Sequence, residues 1–349
     1  MKKTSILGIA VLLTLISGWY VYPTSTEGRT RISNRHKGVC WVGGHDTITV
    51  KELEPLVGQH VTWISQTPFG WQSSASQPEI RLNIHADKVW WGESDLGISE
   101  TTRLANQLGI KTLLKPHLWI RNSWPGEVMM DSKEEWDQWF EHYATFILHY
   151  AQLAEENQVE VLCIGTELLH TIDHELRWRN LITEIRKVYG GKLTYAANFN
   201  AEFERVKFWD ALDFIGIQAY FPLSQKENPT LEELKLNWTK PLQAIENVCK
   251  LYDKPVLFTE IGYRSTADAA IEPWRWPQDN RDAAVSNNTQ ALCYNAFFEM
   301  VWGKPWLAGA YFWKWYPFGP RRLAEIDFTP QGKPAQKVLK YFFEETHDD

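Results

Sequence analysis

A regular alternation most restricts what this chain can fold into. Eight short apolar runs rich in β-forming residues lie at 38–42, 61–66, 111–117, 160–165, 193–197, 214–219, 256–259 and 308–313. Between them run polar–apolar stretches with the 3.6-residue period of amphipathic helices. The clearest starts at Ser132, which can cap it, with Glu135 as the capping-box partner three residues on. Its apolar positions Trp136, Trp139, Phe140, Tyr143, Phe146, Ile147 and Tyr150 keep the spacing of one buried face. A second helical stretch runs from Thr230 and is expected to be interrupted at Pro241; a third runs from Asn287 and stops at Gly303.

Strand and helix signals alternating eight times predict a single (β/α)8 TIM barrel over 36–349. The competing fold is a doubly wound open sheet, which usually carries a Gly-rich phosphate loop after its first strand. Here that position reads GVCWVGGHD, and Gly43-Gly44 alone does not make such a loop. No internal repeat interrupts the scheme.

Residues 1–35 form a separate object. Lys2 and Lys3 precede an apolar run over 6–22, then Pro23 and a polar stretch. This is the pattern of a secretory signal or uncleaved signal anchor, which would place the remainder outside the cytoplasm. The expectation is an exported protein, secreted, periplasmic or anchored in the membrane by its N-terminus.

In such barrels, reacting groups stand at the C-terminal strand ends. The fourth run, VEVLCIGTELLH, ends at Glu167, and the seventh, PVLFTEIGYRS, ends at Glu260. Glutamate is depleted in strands and costly to bury unpaired. A single such residue often serves as a structural acid, but two at one rim read as a catalytic pair. Retaining glycosidases need two carboxyl groups about 5 Å apart, one a nucleophile and one an acid that later acts as base. The other strand ends supply Lys115, His117, Trp119 and Trp124, then Asn198, Gln218, Tyr220, Trp313 and Trp315. About half of these should point away from a ligand, because barrel strands alternate inward and outward. Tyr220 is a candidate to bond Glu260, and Trp313 a candidate sugar platform. Long loops at 71–97, with Trp90 and Trp91, and at 264–286, with Trp274 and Trp276, could wall a groove.

Composition narrows the ligand. The chain carries 19 Trp, more than a core needs, and exposed rings can stack sugars or bases. Its formal net charge of −7 and lack of a basic run argue against a nucleic-acid partner. Four scattered cysteines do not make a disulfide framework, and no G-x-S-x-G marks a serine hydrolase. His170 and His174 have the spacing of a helical zinc pair, but the H-E-x-x-H glutamate is missing and no third ligand suggests itself. No metal and no cofactor is expected.

The segments IGTELLH, VLFTEIGYRS and YFWKW together resemble the (β/α)8 retaining glycosidases with acid/base after strand four and nucleophile after strand seven. Within that clan the chain is most similar to glycoside hydrolase family 113, over about residues 38–343. The resemblance implies an endo-β-1,4-mannanase acting on mannan or glucomannan, with Glu167 as acid/base and Glu260 as nucleophile. It places Tyr220 at the nucleophile and Trp313 at the floor, and Asn198, His117, Trp119 and Trp91 are further substrate-binding candidates. Many clan members carry Asn directly before the acid/base; here it is Thr166, which leaves the 2-hydroxyl contact unassigned. The alternatives are a retaining hydrolase of another β-glycan and a non-catalytic cell-surface carbohydrate-binding protein.

Overall fold

Eight parallel strands close on themselves in a computed structural model that describes residues 35–82, 89–320 and 322–344. Residues 1–34 of the expected export segment lie outside the described residues. In chain order the strands are β1 (His36–Trp41), β2 (Trp63–Gln66), β3 (Phe69–Gln72), β4 (Ile80–Leu82), β5 (Lys111–Leu114), β6 (His117–Ile120), β7 (Val161–Thr166), β8 (Lys192–Asn198), β9 (Phe214–Gln218), β10 (Val256–Ile261) and β11 (Leu307–Trp315). The barrel order is β1-β2-β5-β7-β8-β9-β10-β11 and back to β1. This is the expected (β/α)8 fold.

The helices are α1 (Val50–Val57), α2 (Asp95–Gln107), α3 (Lys133–Glu156), α4 (Glu175–Val188), the short α5 (Glu202–Arg205), α6 (Leu231–Tyr252), α7 (Asn287–Phe297) and α8 (Pro334–Glu344). Ser132 caps α3 by accepting from the Glu135 N–H at 3.1 Å. The Glu135 carboxylate reaches one residue further back than a capping box requires, to the Asp131 N–H at 2.9 Å. The predicted apolar face of α3 is buried throughout, from Trp136 to Tyr150. The expected break at Pro241 does not occur, and α6 runs through it. Proline removes one backbone bond there, while Leu234, Trp238, Leu242, Ile245 and Val248 bury one stripe across both halves. Among the described residues no helix is long and apolar enough to cross a membrane.

Two layers of core position the mouth. Cys40, Trp63, Leu113, Val161, Cys163, Ala196, Leu257 and Tyr311 pack together as one cluster contributed by seven of the barrel strands. A larger cluster holds the outward residues, such as Ile164, Ile217, Phe258 and Phe312, with the helices. The third predicted strand splits in two. Pro116 has no N–H to donate, so the barrel strand ends at Leu114 and the chain resumes as β6 in a second sheet, ordered β4-β3-β6. The 71–97 loop thus carries a strand of that sheet.

Candidate active site at the C-terminal mouth of the barrel

The two glutamates stand at the same end of the barrel. Glu167 directly follows β7 in a left-handed conformation, φ 53°, and its N–H donates to the Ala196 carbonyl at 2.9 Å. Glu260 lies inside β10. Leu257 belongs to the inner cluster and Phe258 to the outer layer, so strict alternation would send residue 260 outward. The pairing of β10 with β9 slips between Phe258 and Glu260, which sets Glu260 opposite Gln218. A bulge of this kind re-aims a side chain, and here it turns the carboxylate into the mouth.

Different partners surround the two groups. Asn198 Nδ2 donates to Glu167 Oε1 at 2.6 Å and Trp124 Nε1 to Oε2 at 3.0 Å. Burial raises the Glu167 pKa; the Glu260 charge adds to the rise, against the opposing bonds from Trp124 and Asn198. Glu260 accepts from Tyr220 Oη at 2.6 Å on Oε2 and from Lys115 Nζ on Oε1. Lys115 is fully buried. Burial pulls its pKa down, but Glu260 and the neighbouring thiols outweigh this and leave it raised. His117 Nε2 lies 3.9 Å from Glu260 Oε1, and burial with the Lys115 charge holds the ring well below its usual pKa, hence neutral.

Behind Asn198 sits a carboxyl that the sequence did not single out. Glu202, the first residue of α5, is buried and accepts from the Asn198 N–H at 2.7 Å and from Tyr195 Oη at 2.5 Å. Burial pushes its pKa up to about 8. Tyr195 Oη in turn accepts from the Leu168 N–H, so Glu202 ties the strand carrying Asn198 to the residue after Glu167. Glutamate in a polar stretch gives no sign of burial in the sequence, so only the packing reveals it.

The aromatic candidates divide by place. Trp313 packs on the inner cluster, its ring 6.0 Å from Lys115 Nζ and 6.2 Å edge-to-face from Trp276 of the 264–286 loop. The Trp313–Lys314 peptide is cis. Trp119 is half exposed and faces Trp71 across β3 and β6, with ring centres 5.9 Å apart. That pair forms a ridge on the small sheet. Trp91 packs against the outer core from a 3-10 turn, and neither it nor Trp119 hydrogen-bonds to either glutamate. Trp315 is buried at 2% exposure and so is unavailable as a platform. His174 lies against Trp136, with ring centres 4.3 Å apart, at the start of α4.

Two carboxyl groups in contrasting surroundings, converging on the C-terminal mouth of a closed parallel barrel, define a (β/α)8 glycoside hydrolase. The sequence profile of Glycoside Hydrolase Family 113 matches residues 43–328, and the chain belongs to that family. A family 113 β-mannanase from Alicyclobacillus acidocaldarius, solved in complex with ManMIm, superposes with TM-score 0.79 at 28% identity. The match covers 90% of this chain and 98% of that one. A second family 113 β-1,4-mannanase, also solved as a complex, gives TM-score 0.76 at 28% identity, covering 89% of this chain and 99% of the other. No curated protein matches the chain.

Proposed function

We propose that the protein is a retaining endo-β-1,4-mannanase that cleaves mannan or glucomannan by double displacement. Glu260 attacks the anomeric carbon while Glu167 protonates the departing oxygen. Glu167 then removes a proton from the water that releases the sugar. The observation that carries this reading is the unequal treatment of the two carboxyls. Burial and a neighbouring charge favour the protonated form of Glu167, as an acid requires. Glu260 receives a donor on each oxygen, so it is held as an acceptor facing the mouth. Trp313 supplies the flat surface beside them. The substrate follows from the mannanase activity named for the two family members of similar structure.

The roles separate experimentally. Glu260→Ala abolishes the first step on every substrate. Glu167→Ala spares it when the leaving group is already good, as in a dinitrophenyl mannoside, and azide then yields the β-mannosyl azide. An α-azide from that variant would reverse the assignments, and a wild-type product of inverted configuration would remove the retaining mechanism. Residues 1–35 direct export, leaving 36–349 as the hydrolase domain outside the cytoplasm. Cell fractionation checks this, and a cytoplasmic protein with its first residues intact would overturn it.

A further inference from the structure

The chain is acidic, with formal net charge −7, yet one cavity on its catalytic face is cationic. This space of about 390 Å³ is lined by Gln278, Arg281, Lys314, Tyr316, Arg322 and Asp327, among others. Its size falls in the range of small-molecule sites, ~300–1,000 Å³. Three cations face one carboxylate there, and that carboxylate is occupied. Asp327 Oδ2 accepts from Tyr316 Oη at 2.7 Å, and Oδ1 from the Thr329 N–H at 3.4 Å. Lys314 Nζ lies 3.8 Å from Asp327 Oδ1, too far for a hydrogen bond.

Lys314 is therefore a cation with donor capacity to spare, though its side chain is only 12% exposed. Its charge is balanced by the ion pair with Asp327 and by three aromatic faces, Trp276, Trp313 and Tyr316, while no hydrogen-bond acceptor engages its ammonium group. Among the described residues neither Arg281 nor Arg322 meets a carboxylate; Arg281 Nε donates to the Gln278 carbonyl at 3.2 Å. The cavity also adjoins the reaction centre. Lys314 Nζ stands 5.2 Å from the Trp276 ring centre and 5.7 Å from that of Trp313. A sugar unit stacked near those rings would bring a ring substituent toward Lys314, in the cavity that Arg281 and Arg322 also line.

We propose that this cavity is a subsite for an anionic substituent of the glycan, the carboxylate of a uronic unit next to the one over Trp313. This deepens the reading given under Proposed function and rests on it for the neutral part of the chain. Lys314 supplies the desolvated charge and the two arginines can engage a planar carboxylate through paired N–H groups.

The test uses the full chain and two preparations of one β-mannan, untreated and oxidised at C6 so that some units carry carboxylates. The ratio of kcat/KM on oxidised to untreated mannan is compared in wild type, Lys314→Gln and the double variant Arg281→Gln/Arg322→Gln. The ratio should fall about tenfold or more in each variant, the loss expected for a hydrogen bond to a charged group. Variants that leave the ratio unchanged overturn the subsite. Binding of carboxylated oligosaccharides, followed by tryptophan fluorescence, provides a readout independent of hydrolysis. Binding that weakens tenfold in the variants supports the subsite even if wild type cleaves neither mannan, a result that would instead defeat the mannanase reading. A sulfated oligosaccharide bound more tightly than the carboxylated one would overturn the carboxylate assignment.

Discussion

Tyr220 Oη donates to Glu260 Oε2 at 2.6 Å, across the boundary between the sixth and seventh barrel strands. Both groups are buried, and the opposite oxygen of Glu260 is taken by Lys115. The carboxylate thus has one orientation, set by two donors that stand just beyond the ends of two other strands, β5 and β9. Tyr220→Phe removes a charge-assisted bond worth about 1.5–3 kcal/mol and keeps the ring. The expected result is a kcat/KM lowered roughly 10- to 100-fold with an unchanged circular dichroism spectrum. Steady-state kinetics on an aryl mannoside check it.

Glu202 should make stability fall with rising pH. Its folded pKa is raised to about 8 by burial, so the folded state holds the proton more tightly than the unfolded chain does. Its contribution is fully present below the ordinary carboxyl value, ~4.3, and is lost as the pH climbs through about 8. Glu202→Gln keeps an acceptor for the Asn198 N–H and cannot ionise. Its Tm should decline less than wild type between mildly acid and mildly alkaline solution, as measured by thermal melts across that range.

The aromatic surfaces should respond differently to substrate length. Trp313→Ala removes a ring beside the reacting carboxyls, and stacking of this kind contributes about 1–2 kcal/mol. It should lower kcat/KM at least about tenfold on both short and long substrates. Trp119→Ala removes half of the exposed Trp71–Trp119 ridge, which should weaken polymeric mannan and leave an aryl mannoside unaffected. Parallel kinetics on the two substrates distinguish these outcomes.

Gly216 tests the wall between β8 and β9. A Cβ built there would overlap the Tyr195 carbonyl oxygen and crowd the Thr194 hydroxyl. Gly216→Ala must push the two strands apart or shift their register. A loss of about 1–3 kcal/mol is expected for such overpacking, visible as a lower urea midpoint.

The barrel was legible because its signals are local. The period of the α3 sequence and the apolar run ending at Thr166 each reflect burial of one face, which a linear pattern records directly. Placement of Glu167 and Glu260 at the C-terminal strand ends followed from the same runs. Pro241 misled because one missing N–H weighs less than a buried stripe, and that balance depends on what the helix packs against.

The sequence by itself thus determined the alternation of strands and helices, hence the closed sheet and the rim on which polar groups would gather. Tertiary structure alone decided which of those groups meet. Lys115, directly after β5, and Glu260 of β10 stand on strands not adjacent in the barrel order, and their contact exists only because the sheet closes. Glu260 faces the mouth because β10 slips against β9, and a register slip is a property of two strands together. Glu202 is buried only because α5 folds beneath Asn198. Such contacts depend on distances between segments far apart in the chain, and the order of residues along one segment carries no record of them.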